Sequence, residues 1–300
     1  MTEETIRTDA LQRIAAVLEQ QFPLRPAATD LHAAPAFRWQ KYRHAGLLEP
    51  IEKLSSLSLD DLVSIDRQKT EIERNTLQFL RGYPANNVLL TGARGTGKSS
   101  LMRALLNRYA AEGLRMIEVE RDHLVDLPAI LQQLKHAQTQ TADKQSPLRF
   151  IIFCDDLTFS NEEPAYKALK TALDGSLAAP DENILIYATS NRRHLLPESM
   201  QDNLASQMVD GELHPAEAIE EKVSLSERFG LWLAFYPFTQ DEYLAAVRHW
   251  LQHYAVPVSD ALLVEACAFA TQRGSRSGRI ASQFVRDQAG AMQLQCEKKQ

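Results

Sequence analysis

Across the middle of the chain, short apolar runs alternate with segments in which apolar residues recur every three or four positions. The runs are Asn87–Thr91, Arg115–Val119, Arg149–Cys154, Asn183–Thr189 and Leu231–Tyr236. Four of them are nearly continuous, as expected for strands buried on both faces of a parallel sheet. Between them, Ser99–Ala111, His123–His136 and Glu162–Leu177 carry helical spacing. Strand, helix, strand in repetition predicts βαβ units and an α/β fold. After Leu231–Tyr236 the pattern turns wholly helical, over Thr239–Tyr254, Ser259–Gln272 and Ser277–Ala289. Each of these opens on Ser or Thr, residues suited to capping a helix start. At the other end, Leu11, Ile14, Ala15, Val17 and Leu18 sit at helical spacing behind Thr8 as a candidate cap. The Pro- and Ala-rich stretch from Pro23 to Ala36 then reads as a linker. These regimes predict an N-terminal helix and linker over residues 1–35, an α/β domain over 36–236 and a small helical domain over 237–300.

Composition narrows the class. The 300 residues are 44% hydrophobic and 24% charged, which fits a globular chain and excludes fibrous or globally disordered ones. Acidic side chains (39) outnumber basic ones (33) for a net charge of -6, so coating nucleic acid through overall charge is not expected, although a local basic patch stays open. No apolar run approaches the ~18 residues needed to cross a bilayer, so no membrane insertion is expected. The opening MTEETIRTDALQ has no apolar core of a secretory signal, and Cys154, Cys267 and Cys296 show no pairing or metal spacing. A cytoplasmic protein with reduced thiols is the expectation.

The strongest chemical signal follows the first run. Gly92, Ala93, Arg94, Gly95, Thr96, Gly97, Lys98 and Ser99, with Ser100 behind them, complete the pattern G-x-x-x-x-G-K-[ST] between a strand candidate and a helix candidate. The glycines permit a tight loop whose N–H groups converge on phosphate oxygens, and the helix N-terminus adds partial positive charge. Lys98 would reach the β- and γ-phosphates and Ser99 would give its hydroxyl to Mg²⁺. The run Phe150–Cys154 ends in Asp155 and Asp156, carboxylates at the sheet edge where α/β ligands bind. Asp155 would hold Mg²⁺ and Asp156 would orient or deprotonate the attacking water. The run Ile184–Ser190 ends in Asn191, which can hydrogen-bond that water or the γ-phosphate. It can equally be a turn residue.

Together these strings resemble the AAA+ ATPases. GARGTGKS is similar to Walker A, FIIFCDD to Walker B and Asn191 to sensor 1. SERFG, with Arg228 before the last strand candidate, resembles the arginine-finger box, and Ser277-Gly-Arg279-Ile-Ala resembles sensor 2. The correspondence runs in order over roughly residues 59–290. Within it, PANNVLLTGARGTGKSSL, FCDDL, SNRRHL and RFGLWLAFYPF resemble a bacterial AAA+ family described only as ATP-binding, with its function unassigned. The resemblance implies a P-loop NTPase sheet sandwiched by helices and followed by a helical lid. It implies ATP and Mg²⁺ as cofactors, and a homo-oligomer in which Arg228 reaches a neighbour's γ-phosphate. It also implies a protein or nucleic-acid client, and an adenine site passing through Leu59–Asp66 with Val63 or Ile65 against the base. Arg279 fits sensor 2 better than Arg276, since it stands in GRIA.

One position departs from the pattern. AAA+ Walker B motifs usually end Asp-Glu, whereas here the second acid is Asp156. Its carboxylate is set back by about 1 Å, a displacement that can cost ~10²-fold in rate. AAA+ helicase loaders are similar in carrying Asp-Asp. The readings are therefore an ATPase that remodels or loads a macromolecule, and a slow nucleotide-gated switch or adaptor. A small-molecule kinase is a third class, unsupported because the chain carries the RFG box and a lid-like helical end. Phe37–His44 interleaves aromatic and basic residues. It could stack bases and track phosphates, or dock on protein.

Overall fold

The structure is a computed structural model. It describes residues 13–14, 29–42, 45–140, 148–159, 163–174, 182–192, 207–209, 212–214 and 225–297, with backbone alone at 42, 45, 136–140, 207–209 and 212–214. The helix expected around Leu11–Leu18 lies outside these residues except for Arg13 and Ile14, which are helical.

Seven strands form one sheet in the order β2-β1-β4-β5-β6-β3-β9. They are β1 (Ala36–Tyr42), β2 (Ala45–Pro50), β3 (Val88–Gly92), β4 (Leu114–Glu118), β5 (Arg149–Cys154), β6 (Ile184–Ser190) and β9 (Leu231–Phe235), while β7 (Gln207–Val209) and β8 (Glu212–His214) pair separately. Every pairing in the large sheet is parallel except the β1–β2 hairpin. All five apolar runs are strands. The hairpin is an addition to the sequence reading. In β1, Phe37 and Trp39 are buried while Arg38 and Lys41 pair with Glu118 and Asp126. The Trp39 indole N–H donates to Asp126 at 3.2 Å. Phe37 and Trp39 therefore present no face on which a base could stack.

Helices cover both faces, because alternate residues of each buried strand point to opposite sides. On one face, Leu90, Ile151, Phe153 and Tyr187 pack against α1 (Asp66–Leu80) and α2 (Lys98–Tyr109). On the other, Leu89, Phe150, Ile152 and Ile186 pack against α3 (Leu127–Gln140) and α4 (Pro164–Asp174). Three helices follow the sheet: α5 (Gln240–His253), α6 (Asp260–Gln272) and α7 (Gly278–Glu297). Their apolar faces continue the first core through Tyr243, Ala266 and Phe284. The expected caps form. Thr239 and Glu242 make a reciprocal capping box, and the Ser259 and Ser277 hydroxyls accept from the N–H groups of Leu262 and Ile280. The Pro23–Ala36 stretch is described only from Thr29, and there Leu31 and Ala34 are buried against the second core. Among the described residues no helix is long and apolar enough to cross a membrane.

Candidate functional site

Parallel strands deliver their C-terminal ends to one edge, and the order places β6 between β5 and β3. Register aligns Thr91 of β3 with Ser190 of β6, and Cys154 of β5 with Ala188 of β6. The loop after β3, the acids after β5 and the polar end of β6 therefore meet in space although they are far apart in sequence.

The loop Gly92–Gly97 turns through three glycines with positive φ, at 131°, 80° and 104° for Gly92, Gly95 and Gly97. The first is tied to the sheet: a Cβ at Gly92 would lie 1.9 Å from the Phe235 carbonyl oxygen on β9. Gly92→Ala should therefore destabilise the fold by roughly 2–5 kcal/mol, from backbone strain and forced displacement of β9. Thermal denaturation checks this, and an unchanged melting temperature would contradict the close approach. Gly97 is the residue before α2, so the helix N-terminus opens directly onto the loop.

Lys98 starts α2 and is only 6% exposed. Its ammonium donates to the carbonyl oxygens of Gly92 and Ala93 at 2.7 and 2.8 Å and to Asn191 Oδ1 at 3.0 Å. Burial pushes it down to about 8, Asp156 and Asp155 oppose that fall, and Arg279 and Arg94 add to it. Ser99 donates its hydroxyl to Asp155 Oδ1 at 2.6 Å, and Thr189 donates to the same oxygen at 2.6 Å. The Asp156 N–H donates to Thr189 Oγ1 at 2.9 Å, and Asp156 itself sits at φ 53°, a left-handed conformation that Asp tolerates. Its Oδ1 accepts from the Asn191 amide and its Oδ2 lies 3.8 Å from the Arg94 guanidinium. Arg94, Asp156, Asn191 and Lys98 thus form a continuous polar chain across the mouth of the loop.

The helical segment closes the site. Arg279 N–H donates to the Gly95 carbonyl at 3.2 Å, which holds the start of α7 against the loop. A Cβ on Gly95 would lie 2.8 Å from Ser277 Oγ. Between these walls is a cavity of about 780 Å³ that runs from the loop, Asp155, Asp156, Thr189 and Asn191 to Val63, Ile65 and Trp250. The loop residues Arg94 to Ser100 line it, and so does Arg279, while Arg276 does not. At its Leu57–Ile65 wall, Asp61 Oδ1 meets His249 Nε2 of α5 at 3.3 Å. Burial pushes the Asp61 carboxyl up, but the Ser58 N–H and hydroxyl together with His249 outweigh it and hold it below the usual range. Cys154, one residue before the acids, is fully buried, and burial pushes its thiol up to about 12.

The structure brings together every residue that the sequence reading placed at the nucleotide site except Gly92, Ala93 and Arg228. Gly92 and Ala93 do not line the cavity; their carbonyls hold Lys98. Arg228 stands apart, ion-paired with Asp174 at the end of α4. Thr189 was missed. Its signal was its place at the end of β6, two residues before Asn191. Phe238 and Trp250 were missed as wall residues because nothing in the spacing around them pointed at a ligand.

RuvB from Thermotoga maritima matches with a TM-score of 0.50 at 17% identity, over 77% of this chain and 63% of that one. The replication initiator DnaA, in a structure bound to AMPPCP and single-stranded DNA, matches with a TM-score of 0.50 at 17% identity, over 78% of this chain and 65% of that one. The chain therefore spans less than two thirds of either relative. No curated protein matches it. The likeness establishes the fold, an α/β P-loop NTPase sheet of the AAA+ type. A family model matches residues 32–292, and the chain belongs to that family, described as Protein of unknown function (DUF815).

Proposed function

We propose that this chain is an ATPase: it binds ATP with Mg²⁺ at the Gly92–Ser99 loop, hydrolyses it, and couples the cycle to remodelling or loading a macromolecular partner. The observation that carries the reading is the placement of Lys98. A cation this deeply buried, its charged form disfavoured by desolvation, gains most from an anion delivered to it. The loop N–H groups and the α2 N-terminus favour the same anion.

The residues fit both ligands. Ser99 and Asp155, already hydrogen-bonded to each other, would hold Mg²⁺, and Thr189 would keep the Asp155 carboxylate oriented. Among the described residues no three His, Cys, Asp or Glu side chains cluster for a metal. Mg²⁺ at such a site would be held by one carboxylate, a hydroxyl and substrate phosphates. Once bound, Mg²⁺ would supply Lewis-acid withdrawal of charge from the phosphates. Lys98 would neutralise the phosphate oxygens, and Arg279, held at Gly95, would approach them from the lid. Asp156 would take the proton of the attacking water and Asn191 would orient that water. Val63 and Ile65 would pack on the base.

Arg228 lies outside the cavity of its own chain, as a residue acting in trans on a neighbour's nucleotide must. We assign it that role and infer a homo-oligomer. One observation favours slow, switch-like turnover: Asp156 Oδ1 accepts from the Asn191 amide, so the two residues that would handle the attacking water hold each other and would have to rearrange around it. Asp155→Asn tests the reading. It removes a metal-holding carboxylate and little core volume, so Mg²⁺-dependent phosphate release should vanish while the melting temperature changes by only a few degrees. Wild-type turnover in that variant would overturn the assignment.

A further inference from the structure

The cavity carries more positive charge than a nucleoside 5′-triphosphate accounts for at its two ends. Lys98, Arg94 and Arg279 stand at the phosphate loop. Two further arginines line the same cavity: Arg103 on α2 and Arg286 on α7. At the helical rise of 1.5 Å per residue, Arg103 lies about 7.5 Å along α2 from Lys98, and Arg286 lies about 10.5 Å along α7 from Arg279. On both helices, then, a second cation follows the first, away from the loop. Neither Arg103 nor Arg286 makes a hydrogen bond or ion pair with the described residues. The cavity acid nearest in sequence to its apolar wall, Asp61, is occupied by Ser58 and His249. Both arginines are solvent-exposed, so water serves them in the free protein; ribose and base are uncharged at neutral pH, so a plain nucleoside triphosphate would bring these two guanidinium groups no anionic partner.

We propose that Arg103 and Arg286 form a second phosphate site, and that the cavity takes a nucleotide phosphorylated on its ribose as well as on the 5′ oxygen. This rests on the reading that the loop holds the 5′-phosphates. A phosphate on the ribose would lie beyond the 5′ chain, on the side where α2 and α7 place these arginines. Guanidinium groups suit it, since each offers paired donors matched to phosphate oxygens. Because Arg103 belongs to the sheet domain and Arg286 to the last helix, a phosphate between them would also tie the two walls together.

Calorimetry on the full chain tests this with two matched pairs of probes. Adenosine 3′,5′-bisphosphate is compared with AMP, and guanosine 3′-diphosphate 5′-diphosphate with GDP. The comparison within each pair isolates the ribose phosphate, and the two pairs separate an adenine from a guanine source. In at least one pair the ribose-phosphorylated member should bind at least about tenfold more tightly, or 1.4 kcal/mol. The double variant Arg103→Ala, Arg286→Ala should bring that ratio to about one, and the double Lys variant should keep part of it. Equal affinities within both pairs, or a ratio that survives the double Ala variant, would overturn the proposal. If ATP binds the wild type while neither pair discriminates, this inference fails alone. If ATP does not bind at all, the reading of the loop fails and this inference goes with it.

Discussion

Lys98→Ala should weaken ATP binding by roughly 10²–10⁴-fold. Hydrogen bonds to charged groups contribute about 1.5–3 kcal/mol each, and the ammonium can make two to the β- and γ-phosphates. At 1.4 kcal/mol per decade, 3–6 kcal/mol gives that range. The lower end is the better guide, because Lys98 must give up its bond to Asn191 and loosen those to Gly92 and Ala93. Calorimetry reads the loss, and unchanged affinity would refute the loop as the phosphate site. The same residue predicts a pH dependence. Burial holds the free ammonium at about 8. A bound phosphate favours the charged form and raises that value, so above pH 8 binding must take up a proton. In metal-free buffer with EDTA, ATP affinity should fall as pH rises through about 8, by up to tenfold per unit. In Lys98→Ala the fall should disappear. A flat profile in the wild type would show that the ammonium does not meet the phosphates.

Arg228→Ala should bind ATP about normally and lose ~10³–10⁵ in turnover, equivalent to about 4–7 kcal/mol of transition-state stabilisation. The two halves of that expectation come from one placement. Arg228 is outside its own cavity, so its loss removes nothing from ATP binding within the same chain. Its ion pair with Asp174 fixes it at the end of α4, and the exchange of that partner for a neighbour's phosphate would take place as subunits meet. Mixing Arg228→Ala with Lys98→Ala should recover part of the activity, because some interfaces then pair an intact loop with an intact arginine. Turnover per chain should also rise with protein concentration. Concentration-independent turnover by a monomer, with no recovery on mixing, would return Arg228 to a simple charge beside Asp174.

Much of this site was legible because strands buried on both faces leave an unmistakable pattern and end at a common edge. The run before Gly92, the run before Asp155 and the run before Asn191 each became a strand, and the residues that follow those strands line one cavity. The hairpin β1–β2 was not legible as strands. Its alternation of buried Phe37 and Trp39 with ion-paired Arg38 and Lys41 has the same composition as a nucleic-acid-binding stretch, and only the positions of Glu118 and Asp126 separate the two. Thr189 was hidden because a Thr near a strand end is ordinary until Asp155 is found 2.6 Å away. Arg103 and Arg286 were hidden for a different reason: they are separated by most of the chain, and nothing in their local sequence marks them as facing one space. Long-range pairings such as Ser99 with Asp155 follow from strand order, which spacing along the chain does not encode.

The most direct test of the central claim is diffraction from crystals grown with Mg²⁺ and a non-hydrolysable ATP analogue. The account predicts the triphosphate in the Gly92–Ser99 loop, Lys98 turned from Asn191 to the phosphates, and the metal held by Ser99 and Asp155. A loop left without nucleotide at saturating analogue, or nucleotide bound elsewhere on the chain, would contradict it.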